Sequence, residues 1–432
     1  MLNKRFNSIK DLCEYIWHLE EKYDLFNLKI NDIHPWAAFR MDLYFELGKQ
    51  IGVFEKKLNM KLSKKEKIIY FFGLFKNTII HYFTNRFTRV DALIFSHARS
   101  QEVDRKLIDP YTFYLKKDLI KQKISFLEFE SPYKGKHIRK KENYIRYLDG
   151  ILILRNIKNL FVRIKPTPKA KETIKKLSEE INLTKNVSLD IKKFLLSNTR
   201  KFKPTYSFYL RMFKKTKPKK IYLVVSYGRG ELIKAAKDLN IEVIELQHGT
   251  FSRYHLGYSF PNKCKLEYFP DKFYVWNQYW KNLIKLPIPA KKVIISPFHY
   301  LESEKQKYNN LKKEKDSLII FGQGGITESI AHKIIENITY FQKFNITFKL
   351  HPNEYHMILQ YKSLIHLQKN HNIRIERNIN LYEHLAKSEY QAGVFSTALY
   401  EGIEFNCKTI LFKLPGIEYM DQFIKQYNPI IK

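Results

Sequence analysis

Short apolar runs that end abruptly in polar residues or glycine are the feature that most constrains this fold. One such run, Ile241–Leu246, is followed by Gln247, His248 and Gly249. A run of this length is typical of a buried strand that delivers side chains to the rim of a sheet. Similar runs alternate with helix-forming segments, at residues 221–225, 272–276, 292–296, 317–321, 346–350, 390–394 and 408–412. This alternation predicts an α/β fold in which helices cover parallel sheets.

The runs fall into two series, which predict two Rossmann-like domains in tandem that face a cleft. We expect an N-terminal helical region over residues 1–88 and a first domain, with a basic helical insertion, over residues 89–300. A charged linker is predicted at residues 301–316, and a second domain at residues 317–432. A chain of 432 residues is long enough for two domains that each bury a core.

The N-terminal region contains an apolar, aromatic-rich segment, Ile68–Phe87, that predicts a helix. Interfacial helices have this composition, but large aromatic side chains usually serve cores, so core packing is the favoured interpretation. No stretch reaches the ~18 uncharged apolar residues of a transmembrane helix. The longest apolar stretch is interrupted by Lys76 and His81.

The chain has 77 Lys+Arg against 43 Asp+Glu, a formal net charge of +34. Such an excess indicates an anionic partner, either nucleic acid, an acidic membrane surface or an acidic polymer. The charge is spread along the chain without a recognition motif, which argues against nucleic acid. Lysine-rich segments at 134–141 and 214–220 suit an acidic membrane leaflet or an anionic glycan, and solvated faces are an equal alternative.

The cysteines and the N-terminus bear on localisation. Cys13, Cys264 and Cys407 form no C-x-x-C pair, which predicts a reducing compartment. The first residues also lack the apolar segment of a signal peptide. We therefore expect a cytoplasmic protein whose basic segments suit peripheral contact with the inner face of a membrane.

Strand ends of the second domain carry residues suited to a nucleotide. They are Gly322, Gln323, Gly324, Gly325, His351, Pro352, Ser396, Thr397 and Glu401. A glycine loop before a helix exposes N–H groups to a phosphate, and imidazole or hydroxyl groups can donate to it. A carboxylate one turn into a helix can accept from ribose hydroxyls. Each residue alone has an ordinary structural explanation, but their clustering predicts a nucleotide site.

The first domain supplies candidates for the other side of the cleft. For contacts with an acceptor or anion they are His97, Arg99, Arg229, Gln247 and Gly249, and for catalysis they are His248, Glu245 and Glu231. Arginine forms bidentate hydrogen bonds with carboxylate or phosphate, although surface ion pairs explain each arginine equally well. His248 or a nearby carboxylate can act as a general base on a hydroxyl. Glu245 lies within the strand and can instead be buried and paired.

Several motifs are absent from the sequence. It contains no D-x-D, no Cys/His cluster with zinc spacing and no G-x-x-x-x-G-K-[ST] loop. A metal-held diphosphate, a zinc site and P-loop ATP hydrolysis are therefore not expected.

Residues 220–415 resemble GT-B glycosyltransferases of bacterial capsule and lipopolysaccharide synthesis. Leu350–Pro352 is similar to the HP motif of bacterial sialyltransferases and Kdo transferases, and Phe395–Glu401 to the paired-hydroxyl motif that follows it. In that family both motifs contact the donor phosphate. Gln247 and His248 stand where sialyltransferases carry an acidic pair before glycine, so the identity of the base is open. The sequence His-Gly-Thr at 248–250 also resembles CDP-glycerol glycerophosphotransferases.

The resemblance implies a metal-independent glycosyltransferase without a cofactor. The second domain would bind a nucleotide sugar, with a CMP-activated acidic sugar such as sialic acid or Kdo as the first choice. The first domain would bind a surface-polysaccharide or lipid-linked acceptor. The alternatives are a CDP-glycerol or CDP-ribitol phosphotransferase, a UDP-sugar-dependent GT-B enzyme, a sugar-nucleotide 2-epimerase and a scaffold without activity. Outside these, the charge leaves a nucleic-acid-binding protein as an alternative.

Overall fold

A computed structural model describes residues 8–53, 64–81, 83, 85–132, 136–184, 187–261, 266–283, 285–377 and 379–432. Cys264 and residues 134–135 of the lysine-rich segment lie outside these ranges. The chain begins with helices α1 (Ile9–Lys22), α2 (Pro35–Gln50) and α3 (Lys64–Ile80).

The first α/β domain follows these helices. Its elements are β1 (Ala92–Phe95), β2 (Gln101–Val103), β3 (Lys106–Ile108), α4 (Phe113–Lys121), β4 (Phe126–Glu130), β5 (Ile145–Tyr147), α5 (Asp149–Asn159), α6 (Pro168–Asn182), α7 (Ile191–Thr216), β6 (Lys220–Val224), α8 (Gly230–Lys237), β7 (Glu242–Leu246), β8 (Lys272–Val275), α9 (Gln278–Leu283), β9 (Val293–Ile295) and α10 (His299–Lys307). Seven strands form a parallel sheet in the order β5-β4-β1-β6-β7-β8-β9. The central strands are buried because helices cover the sheet, as the continuous apolar runs predict.

The second domain repeats this plan. Its elements are β10 (Glu314–Phe321), α11 (Thr327–Glu336), α12 (Ile338–Phe341), β11 (Asn345–Lys349), α13 (Lys362–Asn370), β12 (Arg374–Glu376), α14 (Leu381–Lys387), β13 (Ser388–Gly393), α15 (Thr397–Glu404), β14 (Lys408–Leu411), α16 (Asp421–Tyr427) and β15 (Ile430–Ile431). Six parallel strands are ordered β12-β11-β10-β13-β14-β15. The predicted fold class, two Rossmann-like domains in tandem, is confirmed. The predicted linker at 301–316 holds most of α10 and the first residues of β10.

An aromatic cluster joins the two domains. It includes Tyr258, Trp280 and Phe298 from the first domain and Tyr382 and Tyr400 from the second. The rings of Trp280 and Tyr400 lie 4.6 Å apart, centroid to centroid. Aromatic pairs at this distance add to the apolar area that they bury, so the domains are held against each other.

Two helical segments depart from what their sequences indicate. Proline usually ends or kinks a helix, but α7 continues through Pro204, since Phe202 packs with Tyr268 and Tyr209 packs in the core of the first sheet. The apolar segment Ile68–Phe87 was expected to pack in a core. Among the side chains of α3 that the structure describes, only Leu74 is buried, and most of the large apolar ones are exposed.

A buried ion pair fastens the N-terminal helices to the first domain. The guanidinium of Arg40 on α2 pairs with Glu20 on α1 and donates to the carbonyls of Leu256 and Ser259, at 2.5 and 2.8 Å. Trp36 also donates to Glu20 at 2.8 Å. Because Leu256 and Ser259 lie in the loop after β7, this network braces the segment that carries His248.

We expect Arg40→Leu to lower the free energy of unfolding by about 3–5 kcal/mol, because it leaves the buried Glu20 carboxylate unpaired. Urea denaturation followed by circular dichroism measures the loss. The double variant Glu20→Leu/Arg40→Leu should recover much of it, while Arg211→Leu, at an exposed position of α7, should have little effect. A single variant within ~1 kcal/mol of the wild type would show that the pair does not brace this loop.

Candidate functional site

Each sheet has one point at which the strand order reverses, and the predicted site residues follow these strands. In the first sheet the reversal lies between β1 and β6, and in the second between β10 and β13. Ligands of open α/β sheets bind beyond the carboxyl ends of the strands at such points. The candidate residues of the first domain and those of the second domain therefore each lie at the crevice that the strand order opens in their sheet.

Residues from the two reversal points meet across the cleft. The Arg99 guanidinium lies 3.6 Å from the carboxylate of Glu401 on α15. A Cβ on Gly249 would lie 3.2 Å from the hydroxyl oxygen of Thr397, so only glycine leaves free space there. The structure thus brings first-domain and second-domain candidates into one site.

Glu401 is the least satisfied group of this site. Its side chain is 1% exposed, and neither carboxylate oxygen has a hydrogen-bond partner within the part of the chain that the structure describes. Arg99 does not serve Glu401 alone, because the same guanidinium also donates a hydrogen bond to the Tyr111 hydroxyl at 2.9 Å. A buried carboxylate without hydrogen bonds is costly, so a bound ligand with hydroxyl donors would stabilise it.

Two histidines line the first-domain side. The rings of His97 and His248 are 5.8 Å apart. His97 Nδ1 accepts from the backbone N–H of Arg99 at 3.0 Å, which places the proton of this imidazole on Nε2. Burial, with Arg99 nearby, lowers the pKa of His97 to about 4. Burial and the neighbouring His97 lower the pKa of His248 well below its usual value, so both rings are neutral near pH 7.

Glu245 reaches His248 only through a tyrosine. Its carboxylate is fully buried, and it accepts from the backbone N–H of Ser226 at 3.1 Å and from the Tyr258 hydroxyl. The Tyr258 oxygen lies 3.5 Å from Nδ1 of His248. Glu245, predicted as a catalytic candidate, orients Tyr258 through one oxygen, and its other oxygen has no partner among the described residues. Burial raises the pKa of Glu245 to about 7.

Arg229 links the histidine side of the site to Glu231. It is among the charges that act on His97 and on Glu245, and it lies 5.9 Å from the ring of Phe95. Glu231 lies in the first turn of α8, where burial raises its pKa to about 7 against the opposing effect of Arg155 and Arg229. Its catalytic role stays a prediction.

Two glutamines among the candidates brace loops. The Gln247 side chain donates to the Gly249 carbonyl at 3.0 Å and accepts from the Trp276 N–H at 2.9 Å. The Gln323 side chain accepts from the N–H groups of Val394 and Phe395. Both side chains are buried. Gln247 uses its oxygen and its nitrogen within the protein, whereas Gln323 uses its oxygen to brace the turn before α15.

The glycine loop after β10 leaves room above its backbone. A Cβ on Gly322 would meet the Thr327 hydroxyl at 3.0 Å and Phe348 at 3.1 Å, so this position is closely packed. Gly324 and Gly325 have open space instead, and Gly325 has a φ of +100°. The loop leads into α11, whose N-terminus favours an anion. Gly324 and Gly325 are therefore the members of this motif placed for a phosphate.

The end of β11 supplies further polar groups. His351 and Pro352 are exposed at this strand end, where Pro352 begins a turn of 3₁₀-helix, Pro352–Glu354. Lys349 precedes them, and burial lowers its pKa, with Arg99 and Glu401 as its charged neighbours. Lys349 was not predicted, although a lysine two residues before the His-Pro pair is a signal that the sequence contains.

Ser396 and Thr397 divide their roles. Ser396 is the N-cap of α15, and its hydroxyl accepts from the Ala398 N–H at 3.3 Å. Thr397 faces Gly249 across the cleft. The cap fixes the start of α15 beside Glu401, while the Thr397 hydroxyl remains placed for a ligand. The predicted pair thus combines a structural residue with a candidate contact.

No family model and no curated protein sequence matches this chain. Among solved structures it is similar to UDP-GlcNAc 2-epimerase from Methanocaldococcus jannaschii, with 11% identity over 79% of this chain and 88% of that chain and a TM-score of 0.44. The UDP-GlcNAc 2-epimerase from Neisseria meningitidis, bound to UDP-GlcNAc, is 12% identical over 74% of this chain and 81% of that chain, with a TM-score of 0.42. A trehalose-phosphate synthase from Burkholderia xenovorans is 8% identical over 79% of this chain and 88% of that chain, with a TM-score of 0.38.

The raised pKa of Glu245 makes a prediction about stability. The folded protein keeps this proton up to about pH 7, whereas the unfolded chain releases it near 4.5, so Glu245 destabilises the fold increasingly as pH rises between these values. We expect Glu245→Gln to become progressively more stable than the wild type from pH 4.5 to 7, with a change on the order of a few kcal/mol.

Urea denaturation of both proteins at several pH values measures this difference. Glu21→Gln, at an exposed position of α1, serves as the control and should not change the slope. A wild-type and a Glu245→Gln curve that run parallel across the range would contradict the raised pKa.

Proposed function

We propose that the protein is a metal-independent glycosyltransferase that moves a sugar from a nucleotide donor to an acceptor hydroxyl. The observation that carries this proposal is the meeting of the two strand-order reversal points, with Arg99 against Glu401 and Gly249 against Thr397. A donor held by the second domain would lie directly opposite the neutral His97–His248 pair. That arrangement suits group transfer between two bound partners.

On the donor side, Glu401 accepts hydrogen bonds from the ribose hydroxyls, because its two oxygens lack partners among the described residues. Lys349, His351 and the N–H groups of Gly324 and Gly325 hold the phosphate. Arg99 completes this group from the first domain and neutralises charge on the departing nucleotide. The donor therefore closes the cleft by contacting both domains.

On the acceptor side, His248 is the general base. The Tyr258 hydroxyl donates to Glu245, so its oxygen accepts from Nδ1–H of His248 and leaves Nε2 with a free lone pair. As the acceptor oxygen bonds to the anomeric carbon and the carbon–phosphate-oxygen bond breaks, the hydroxyl proton passes to Nε2. The lowered pKa keeps this nitrogen unprotonated near pH 7.

The donor is a UDP-, CDP- or CMP-linked sugar. No residue of the site singles out cytosine over uracil, so the CMP-activated acidic sugar expected from the short motifs stays one version of the proposal. A UDP-linked sugar needs no further contact, since Glu401 would bind the ribose and the phosphate-binding groups would bind the phosphates of any of these nucleotides. Binding measurements separate these versions.

We expect isothermal titration calorimetry to detect one of UDP, CDP or CMP, and the affinity to fall about tenfold in Lys349→Met, since a charge-assisted hydrogen bond to phosphate is lost. Glu401→Gln and His351→Ala should also weaken binding. Lys343→Met, at an exposed lysine of the same domain, should bind as the wild type does. Unchanged affinity in all the site variants would remove the nucleotide site from this cleft.

We expect His248→Ala to lower kcat by about 10²–10⁴ with little change in nucleotide affinity, because the base acts in the transition state. For the wild type, the lowered pKa of His248 places the acid limb of the pH–rate profile below pH 6.5, since only the neutral ring accepts the proton. His332→Ala, on the exposed side of α11, is the control. Transfer to a glycan acceptor is followed by nucleotide release.

A wild-type kcat in His248→Ala would contradict the assignment of the base. A product in which the sugar is isomerised but still attached to the nucleotide would instead identify a sugar-nucleotide epimerase. Mass spectrometry and NMR of the product distinguish these outcomes.

A further inference from the structure

A large apolar surface lies on one side of the first domain, formed by α3, α5 and the turns that follow them. Among the residues that the structure describes, 22 large hydrophobic side chains are exposed, and twelve of them come from residues 68–83 and 154–161. They are Ile68, Ile69, Phe71, Phe72, Phe75, Ile79, Ile80, Phe83, Leu154, Ile157, Leu160 and Phe161. We call this surface the α3–α5 face. Soluble proteins rarely expose a contiguous apolar patch of this kind without a binding role.

Polar contacts hold α3 with this face outward. The Asn77 side chain donates to the Asp149 carboxylate at 2.9 Å. The Thr78 methyl group lies against Gly150, so close that a Cβ at that position would be 3.4 Å from it. Asn85, just beyond α3, donates to the Tyr147 carbonyl. The anchored side of the helix is thus its polar side, and the exposed side is apolar.

The charge of the face is one-sided. Residues 67–89 contain four lysines or arginines, residues 150–165 contain four more, and neither segment contains an aspartate or glutamate. Lys67, Lys76, Arg86 and Lys158 are exposed among the apolar side chains. Apolar side chains ringed by cations match the interface of an anionic bilayer, where acyl chains and acidic headgroups lie next to each other.

Other occupants fit this composition less well. A second copy of the chain would bring two acid-free cationic faces together, which is electrostatically unfavourable. Nucleic acid would use the cations but leave phenylalanine and isoleucine side chains without partners. Among the described helices, none is both long enough and apolar enough to cross a bilayer. The face therefore suits contact with the surface of a membrane.

We propose that the α3–α5 face docks the protein on a membrane surface that contains anionic lipids. α5 begins with Asp149 directly after β5, so its first turn adjoins the carboxyl edge of the first sheet, where the acceptor-side candidates lie. The proposal goes beyond the proposed function and does not depend on it.

The test is flotation of the full-length protein with vesicles of phosphatidylcholine, with and without phosphatidylglycerol, in the absence of donor. We expect binding to vesicles that contain phosphatidylglycerol, and weaker binding at high salt. Phe72→Ser/Phe75→Ser should weaken it about tenfold or more, since two buried phenylalanines are lost. Lys76→Glu/Lys158→Glu should weaken it to a similar extent. Leu359→Ser removes a side chain that is 85% exposed in the second domain and should bind as the wild type does.

The proposal fails if the wild type does not float with acidic vesicles, or if both pairs of substitutions leave binding unchanged. It also fails if Phe72→Ser/Phe75→Ser converts a dimer to a monomer without affecting flotation, or if an RNA oligomer but no vesicle binds. All variants change exposed positions and should keep the nucleotide affinity of the wild type. A protein that floats but binds no nucleotide would overturn the proposed function alone.

Discussion

The contact between Arg99 and Glu401 is the interaction on which the rest of the site depends. It joins the strand-order reversal points of two separate sheets, at a distance of 3.6 Å and with Glu401 almost completely buried. A buried carboxylate with one distant cation and no hydrogen bond is far from satisfied. A polar ligand with hydrogen-bond donors would complete this pair, and the proposed donor site is placed there for that reason.

The edge on which the candidate residues lie could be predicted from the sequence because it follows from strand direction. Parallel strands bring their carboxyl ends to one edge of each sheet, so His97 and His248 share an edge of the first sheet and Thr397 lies at the corresponding edge of the second. Which of them face the ligand could not be predicted. Gln247 and Gln323 bind backbone groups of other strands, and such partners become neighbours only once the sheets have assembled.

The sequence also did not reveal Tyr258, which acts on His248 only through a hydrogen bond. Tyr258 lies ten residues beyond His248 in a loop without periodicity, yet its hydroxyl connects that histidine with Glu245. The exposure of α3 was missed because aromatic content alone does not tell a core helix from an interfacial one. Absence of acids over residues 67–89 is the better signal, since a buried helix gains nothing from excluding only one sign of charge.

The net charge of +34 becomes informative only when its distribution is considered. Beside the first sheet, cations are matched by acids: Arg139 contacts Glu128 and Glu130 at 3.1 and 2.7 Å, and Lys116 contacts Glu128 at 2.6 Å. Those charges serve the fold. On the α3–α5 face, by contrast, Lys67, Lys76 and Lys158 are exposed among apolar side chains. The proposed membrane contact therefore uses charges at the surface, while the proposed sugar transfer uses neutral histidines and the buried Glu401.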